Sequence, residues 1–140
     1  CCSESINCWH LFTCLGVDVD PLLKFDAHIN RIIGKAYCRI GVLFKGFTSR
    51  NSTMLKLAYI TYVRPILEYA SNVWSPHLIK NINALEREQK YFTKRIPALS
   101  NLSYPERLAA MDLESLELRR LKCDLVMYFK CLNNIVALPT

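Results

Sequence analysis

The sequence predicts a mainly α-helical protein: a helical bundle of about four to five helices, with a short β-strand or hairpin remnant at its N-terminal end. Three observations predict this class. Apolar residues recur at spacings of three and four over several long stretches, as on one face of a helix. Hydrophobic residues make up 51% of the 140 residues, which is enough for one core. One short stretch, Leu15–Asp20, alternates apolar and polar residues from Val17 onward, which predicts a strand.

The chain divides into three parts. Residues 1–14 are predicted to form an irregular N-terminal segment of doubtful origin. Residues 15–135 are predicted to form one helical domain, and residues 136–140 a tail. The chain does not begin with Met, which favours a fragment or an incompletely read gene over a complete protein.

A first long helix is predicted over Phe25–Phe47. Its apolar face consists of Phe25, Ile29, Ile32, Ala36, Ile40, Leu43 and Phe47. Arg31, Lys35 and Arg39 recur every four residues and form one row beside that face. Such a row either follows a phosphate backbone or is a solvated edge of the helix, and the sequence leaves both open.

A second helix is predicted over Thr53–Val63, with caps supplied by residues 49–52. Its inward side chains are expected to be Leu55, Tyr59, Tyr62 and Val63. Pro65 should end or kink this helix, because proline lacks a backbone donor. Tyr69 and Trp74 then follow among small residues, which predicts a packed turn between two helices.

A third, basic helix is predicted over Leu78–Ile96. Leu78, Ile82, Leu85, Gln89, Phe92 and Ile96 give it one apolar or neutral face. Arg87, Lys90 and Lys94 fall mainly off that face, so the helix should carry positive charge on its solvent side.

Two shorter signals end the domain. Ser103 and Glu106 fit a capping box and predict a short helix to about Met111. Asp112 is then expected to cap a last amphipathic helix over 113–133. Arg119 and Arg120, with Lys122, predict a second basic patch there, and an ion pair of Arg120 with Asp124 could contribute about 0.3–0.5 kcal/mol.

Charge is distributed unevenly. Residues 24–95 contain thirteen Lys or Arg against four Asp or Glu, whereas the remainder contains five against eight. A basic block on helices favours a polyanionic partner such as nucleic acid, although solvated helix faces would give the same count.

The glycines within the first helix and the cysteines predict structural roles rather than catalysis or metal binding. Gly34 and Gly41 inside the first helix predict close packing against a neighbour. Cys38, Cys123 and Cys131 are expected to be small buried apolar groups. The seven cysteines include no C-x-x-C pair, which predicts a reducing compartment and an intracellular protein of the cytoplasm or nucleus.

Two sets of side chains could in principle hold a metal, but simpler interpretations are favoured. Asp18 and Asp20 lie on one strand face and are expected to be exposed carboxylates. Cys8, His10 and Cys14 lack a matching second pair of ligands. No cofactor is expected in this chain, and no stretch is apolar and long enough for a transmembrane helix.

Four stretches resemble one known family. They are Arg64–Pro76, Leu85–Lys90 and, on either side, Leu15–Ile29 and Leu116–Leu132. Together they resemble the region C-terminal to the catalytic palm in reverse transcriptases of non-LTR, LINE-type retrotransposons, where the pattern is VRPxLEYAxxVWxP followed by a helix with LExxQ. The resemblance covers about residues 15–135.

The resemblance implies the thumb and connection of an RNA-directed DNA polymerase. The family's catalytic aspartate pair has no counterpart, because the chain contains no Asp-Asp, so no catalytic residue is assigned and the chain should be inactive alone. Mg²⁺ is expected only in the missing palm. The implied partners are an RNA–DNA or DNA primer–template duplex and the palm and fingers of the same polymerase, with no membrane. The expected phosphate-binding residues are Arg31, Lys35, Arg39, Arg87, Lys90, Lys94, Arg119 and Arg120. For Arg64 and Glu68, the alternative to nucleic-acid binding is a structural role across the kink at Pro65.

Two other interpretations stay open. The chain could be a gene-model or pseudogene fragment without function. It could also be a domesticated helical protein-interaction module that uses Tyr62, Tyr69 and Trp74 as an apolar partner surface.

Overall fold

The computed structural model describes residues 12–136, which form a mainly helical fold with a short antiparallel hairpin at its start. The predicted fold class is confirmed. Residues 1–11 and 137–140 lie outside the described residues, and with them Cys8, His10 and most of the predicted irregular segment and tail. The elements are β1 (Phe12–Cys14), β2 (Val17–Val19), α1 (Asp26–Gly46), α2 (Ser52–Ala58), a π-helical turn (Tyr59–Val63), α3 (Arg64–Glu68), α4 (Ser71–Trp74), α5 (Ile79–Lys94), a 3₁₀ turn (Pro97–Leu99), α6 (Tyr104–Met111) and α7 (Leu116–Leu132).

The hairpin includes more of the chain than the sequence predicted. β1 pairs with β2 so that Phe12 is opposite Val19 and Cys14 is opposite Val17. Residues 12–14, placed by sequence in the irregular segment, therefore belong to the fold. Gly16 closes the turn with a φ of 81°, a conformation that favours glycine.

Helix α1 confirms the predicted apolar period. Its buried side chains include Ile29, Ile32, Ala36, Ile40 and Leu43. The expected role of its glycines is wrong: a Cβ built at Gly34 or Gly41 would meet no atom within 4 Å. Both glycines face open space rather than a packed neighbour.

Pro65 does not end the second helix. The π-helical turn precedes it, and the Arg64 amide donates to the Tyr59 carbonyl five residues earlier. The wider turn accommodates a residue that has no N–H and that would collide with a regular helical turn, so the chain stays helical to Glu68. Leu55, Tyr59 and Val63 are buried as predicted, but Tyr62, which lies within the π-helical turn, is 54% exposed.

The turn around Trp74 is packed, as predicted. Trp74 is only 1% exposed, its indole N–H donates to the Tyr69 carbonyl at 2.8 Å, and its ring lies 5.3 Å from the His28 ring. Ala70 enters this turn with a left-handed φ of 53°. Burial of Trp74 removes the main support for an apolar partner surface built on this residue with Tyr62 and Tyr69.

A buried polar network connects α5 to the elements around it. The Gln89 side chain accepts a hydrogen bond from Tyr59 at 3.1 Å and donates to the Glu114 carbonyl at 2.8 Å. The Glu86 carboxylate accepts from the Tyr104 hydroxyl and from the Leu116 amide. Glu86 and Gln89 are the polar residues of the L-E-x-x-Q stretch, so that stretch has a structural role in this fold.

Arg64–Pro76, another stretch that resembles the family, also has a structural role in this fold. The Glu68 carboxylate is held by Arg119, which donates from Nε and from Nη2, the latter at 3.1 Å. Arg64 lies 3.9 Å from the same carboxylate. Glu68 therefore fixes α7 against α3.

The caps of the last two helices differ in their agreement with prediction. The capping box is confirmed: the Glu106 carboxylate accepts from the Ser103 amide at 2.7 Å and from its hydroxyl at 2.6 Å. Asp112 was expected to start the last helix, which is wrong. It adopts a left-handed φ of 48° and terminates α6, while the Ser115 hydroxyl caps α7 by accepting from the Leu118 amide at 3.2 Å.

The expected burial of the helical cysteines is also wrong. Cys38 and Cys123 are exposed and Cys131 is partly exposed, all as free thiols. Cys38 lies on an exposed part of α1, in a shallow groove that Ile66 of α3 also lines.

Candidate nucleic-acid interface

The predicted row on α1 divides into one structural cation and two cations without a carboxylate partner among residues 12–136. Arg31 pairs with the Asp18 carboxylate and donates from Nη2 to the Gly16 carbonyl at 2.7 Å. Asp18, expected to be exposed, is instead buried. Burial disfavours its charged form, but hydrogen bonds from Thr13 and Arg31 outweigh burial and hold the pKa of the carboxyl below its ordinary value. Arg31 thus fastens the hairpin to α1.

Lys35 and Arg39 are exposed on the flank of α1 that faces α3. Together with Cys38 and Ile66 they line a shallow groove of about 480 Å³. This groove has an apolar floor and two cations on its wall. Such cations can form ion pairs with the phosphate groups of a nucleic-acid backbone.

A second groove, of about 450 Å³, follows the other flank of α1, between it and α5. Arg87 lines it, together with the Tyr37 and Tyr91 rings, which stack at 5.2 Å. Glu88 also lines this groove and is buried there, and that burial raises the pKa of its carboxyl.

Gly34 lines both grooves. Because it has no side chain and nothing packs over it, the ridge of α1 between the two grooves is low at this point. Cations therefore line grooves on both flanks of α1, with Lys35 and Arg39 on one flank and Arg87 on the other.

Lys90 and Lys94 extend the positive surface along α5. The Lys90 ammonium lies 5.1 Å from the centre of the Tyr104 ring, and Lys94 is exposed. Arg87 and Lys94 are seven residues apart, which places them on the same side of α5 two turns apart.

These five cations, on α1 and α5, form the set that we call the α1–α5 surface: Lys35, Arg39, Arg87, Lys90 and Lys94. Within residues 12–136, none of them lies within ion-pair distance of a carboxylate. Lys80 on the same α5 helix differs, because it pairs with Asp26 at 3.5 Å. Cations without a carboxylate partner can bind an incoming anion without first breaking an ion pair.

The predicted second basic patch is not formed. Arg119 is held by Glu68, and Lys122 pairs with Glu114. Arg120 is 3% exposed, and two of its guanidinium nitrogens lack a partner among the described residues. Burial lowers the pKa of Arg120. It points into the fold rather than toward Asp124, which instead accepts from Asn72 at 2.8 Å.

One cationic cluster was missed by sequence reasoning. The Arg95 and Arg50 guanidinium groups lie 4.4 Å and 5.1 Å from the centre of the Phe44 ring, and Arg95 also donates to the Tyr91 hydroxyl at 3.0 Å. Arg95 therefore continues the α5 row beyond Lys94. The signal was the basic pair at the end of the third predicted helix, but the partner Phe44 lies outside the predicted apolar face of α1.

Neither a metal site nor a membrane-spanning helix is supported by the described part of the chain. No cluster of three His, Cys, Asp or Glu side chains suited to a metal occurs between residues 12 and 136. In the same range, every helix is too short or too polar to cross a membrane.

The chain is similar to a nematode protein. The chain is 28% identical over 134 residues to a Caenorhabditis elegans protein described as uncharacterized protein B0403.1, and the match covers 94% of this chain and 68% of that protein. No protein-family model and no solved structure matches the chain.

Proposed function

We propose that this chain is the thumb-like, post-palm region of a non-LTR retrotransposon reverse transcriptase, and that it binds primer–template duplex through the α1–α5 surface. One observation carries the proposal: among residues 12–136, the five cations of the α1–α5 surface have no carboxylate partner, and three of them (Lys35, Arg39 and Arg87) line the two grooves that meet at Gly34. The sequence resemblance is the reason for proposing a polymerase. The five cations of the α1–α5 surface are the groups proposed to contact phosphate.

The proposed binding is electrostatic and independent of base sequence. Lysine and arginine contacts to phosphate oxygens position a duplex without reading its bases. They also displace condensed counterions, so affinity must fall as salt rises. Catalysis is assigned to the palm and fingers of the same polymerase, with its Mg²⁺, and the proposed setting is the cytoplasm or nucleus.

Not all the cations expected from sequence take part in this proposal. Arg31 and Arg119 already hold buried or partly buried carboxylates, and Arg120 is inside the fold. Binding phosphate through any of them would first cost an existing contact. The proposed contacts are therefore Lys35 and Arg39 on α1, with Arg87, Lys90 and Lys94 on α5.

A titration over a range of salt concentrations tests the proposal. We expect the chain to bind an RNA–DNA hybrid, with each phosphate contact contributing about 0.9 to the slope of log affinity against log salt. The triple variant K35E/R39E/R87E should lose most of that slope. K130E, which reverses an exposed charge on α7, should bind like the unchanged chain. Undetectable binding at low salt, or equal loss in both variants, would refute the proposal.

Thiol protection tests where the duplex lies. Cys38 shares its groove with Lys35 and Arg39, whereas Cys123 is exposed on α7. In variants that keep one of these cysteines and replace the others by serine, hybrid should slow alkylation of Cys38 and leave Cys123 unaffected. Equal protection of both thiols would place the ligand elsewhere.

A further inference from the structure

Helix α7 presents an apolar face that no described residue covers. Leu118, Leu121, Leu125, Tyr128, Phe129 and Leu132 are all between 41% and 64% exposed. Sequence periodicity predicted this amphipathic face, but the side of α7 that enters the core is the opposite one, and it does so only at the start of the helix, through Leu116 and Arg120; farther along, Val126 and Met127 are exposed as well. Six large apolar side chains on one exposed helix face are unusual for a surface without a partner.

The spacing of this face is that of a coiled-coil seam. Leu118, Leu125 and Leu132 recur every seven residues, and Leu121 and Tyr128 fall three residues after the first two. This is the a and d pattern of two consecutive heptads. An ordinary core-facing helix needs only an approximate period, whereas here the alternation of three and four is strict across the face.

We propose that this face pairs with the α7 helix of a second copy of this chain, in a parallel, two-fold symmetric dimer. The seam residues are accessible to a second chain, because they are exposed and the buried residues of α7, Leu116 and Arg120, lie on the opposite side of the helix. With roughly 100 Å² exposed on each side chain, six of them offer on the order of 600 Å² per copy, and the stems of flanking charged residues extend this toward the roughly 800 Å² per partner of a standard interface.

Charges beside the seam select the parallel orientation. Glu117 lies on one edge, and Lys122, five residues on, lies on the other. In a parallel pair these two residues meet across the interface as a g–e′ ion pair. In an antiparallel pair the edge carrying Glu117 and Asp124 would face itself, and like charges would repel. The existing contact of Lys122 with Glu114 is on the surface and can be exchanged at little cost.

A matched pair of substitutions tests the dimer. Leu125, at the centre of the seam, is 58% exposed, and Leu57 on α2 is 60% exposed. Neither L125K nor L57K should unfold the protein, which circular dichroism would verify. We expect light scattering to give twice the chain mass for the unchanged protein and for L57K, and the mass of one chain for L125K, with a dissociation constant raised at least about a hundredfold.

Charge exchange tests the orientation. In the parallel dimer, E117K and K122E should each weaken association severalfold, and the double variant E117K/K122E should restore it. In an antiparallel dimer E117K would instead strengthen association, because Lys at 117 would face Asp124. That result would overturn the orientation. A chain that stays monomeric at high concentration, forms a larger oligomer, or is equally affected by L57K and L125K would overturn the dimer. Duplex binding depends on α1 and α5, so its success or failure is measured separately.

Discussion

The exposed sides of α1 and α7 differ although their sequences follow the same rule. Both helices carry apolar residues at helical spacing. In α1 that face is buried, and the solvent side carries Gly34, Lys35 and Arg39. In α7 the apolar face is the exposed one, and an arginine faces inward. Periodicity therefore shows that a helix has an apolar face, but not what that face meets.

Polar contacts explain why α7 is turned this way. Glu86 accepts from the first amide of the helix, at Leu116, and Glu68 holds Arg119. Asp124 is held by Asn72 and Ser75 of the α4 turn. These three anchors lie on one side of α7 and fix its rotation, whereas α1 is oriented mainly by buried aliphatic side chains.

The largest expected effect comes from removing the first of these anchors. Glu86→Ala leaves the Leu116 amide and the Tyr104 hydroxyl without their acceptor inside the fold. We expect a loss of about 2–4 kcal/mol in the free energy of unfolding, measured by urea denaturation. Lys94→Ala, on the exposed side of the same helix, should change it by less than about 0.5 kcal/mol. Equal effects of the two substitutions would mean that the Glu86 contacts do not stabilise the fold.

This contrast also shows what sequence can provide. The helices, the capping box and the buried face of α1 were predictable because local spacing and capping chemistry determine them. The rotation of α7 was not, because its anchors Glu68 and Glu86 lie 51 and 30 residues from Arg119 and Leu116. The sequence likewise could not separate Arg31 from Lys35 and Arg39. The pairing of Arg31 with Asp18, 13 residues away, depends on how the hairpin packs on α1.

A second prediction separates structure from binding within the α1 row. Arg31→Ala should cost about 1.5–3 kcal/mol of stability, because it breaks a charged hydrogen bond to buried Asp18. Lys35→Ala, one turn later, should leave stability within about 0.5 kcal/mol but reduce the salt slope of duplex binding by about one. Thermal melts and binding titrations on the same two proteins check both halves. The α1–α5 surface would be misassigned if Lys35→Ala bound duplex normally.

A third prediction concerns pH. His28 is buried beside Arg31 and Lys35, and its Nδ1 accepts from the Asp18 amide at 3.2 Å. Burial first, and then the charge of Arg31, lower the pKa of His28 below its ordinary value of 6.5. The unfolded chain then binds more protons there, so stability should fall as pH drops through and below about 6.5. Protonating Asp18, whose pKa is also lowered, adds a separate loss only below its ordinary value of 3.8.

Denaturant melts between neutral and mildly acidic pH measure this effect. His28→Gln should flatten the pH dependence of stability in that range, because the titrating group is gone. His77→Gln, at an exposed histidine, should leave the pH dependence unchanged. If both variants retain the full dependence, another group is responsible.

The smallest effect is expected at Gly34 and tests the low ridge directly. The position is helical and open, so Gly34→Ala should add about 0.5–1 kcal/mol to the free energy of unfolding by restricting the unfolded chain. Alanine adds one methyl group and should leave duplex binding nearly unchanged. Gly34→Trp also meets no neighbour at its Cβ, but its ring would stand between the two grooves and obstruct a ligand lying across α1. A folded tryptophan variant that binds duplex as well as the alanine variant would show that the two flanks of α1 do not act as one surface.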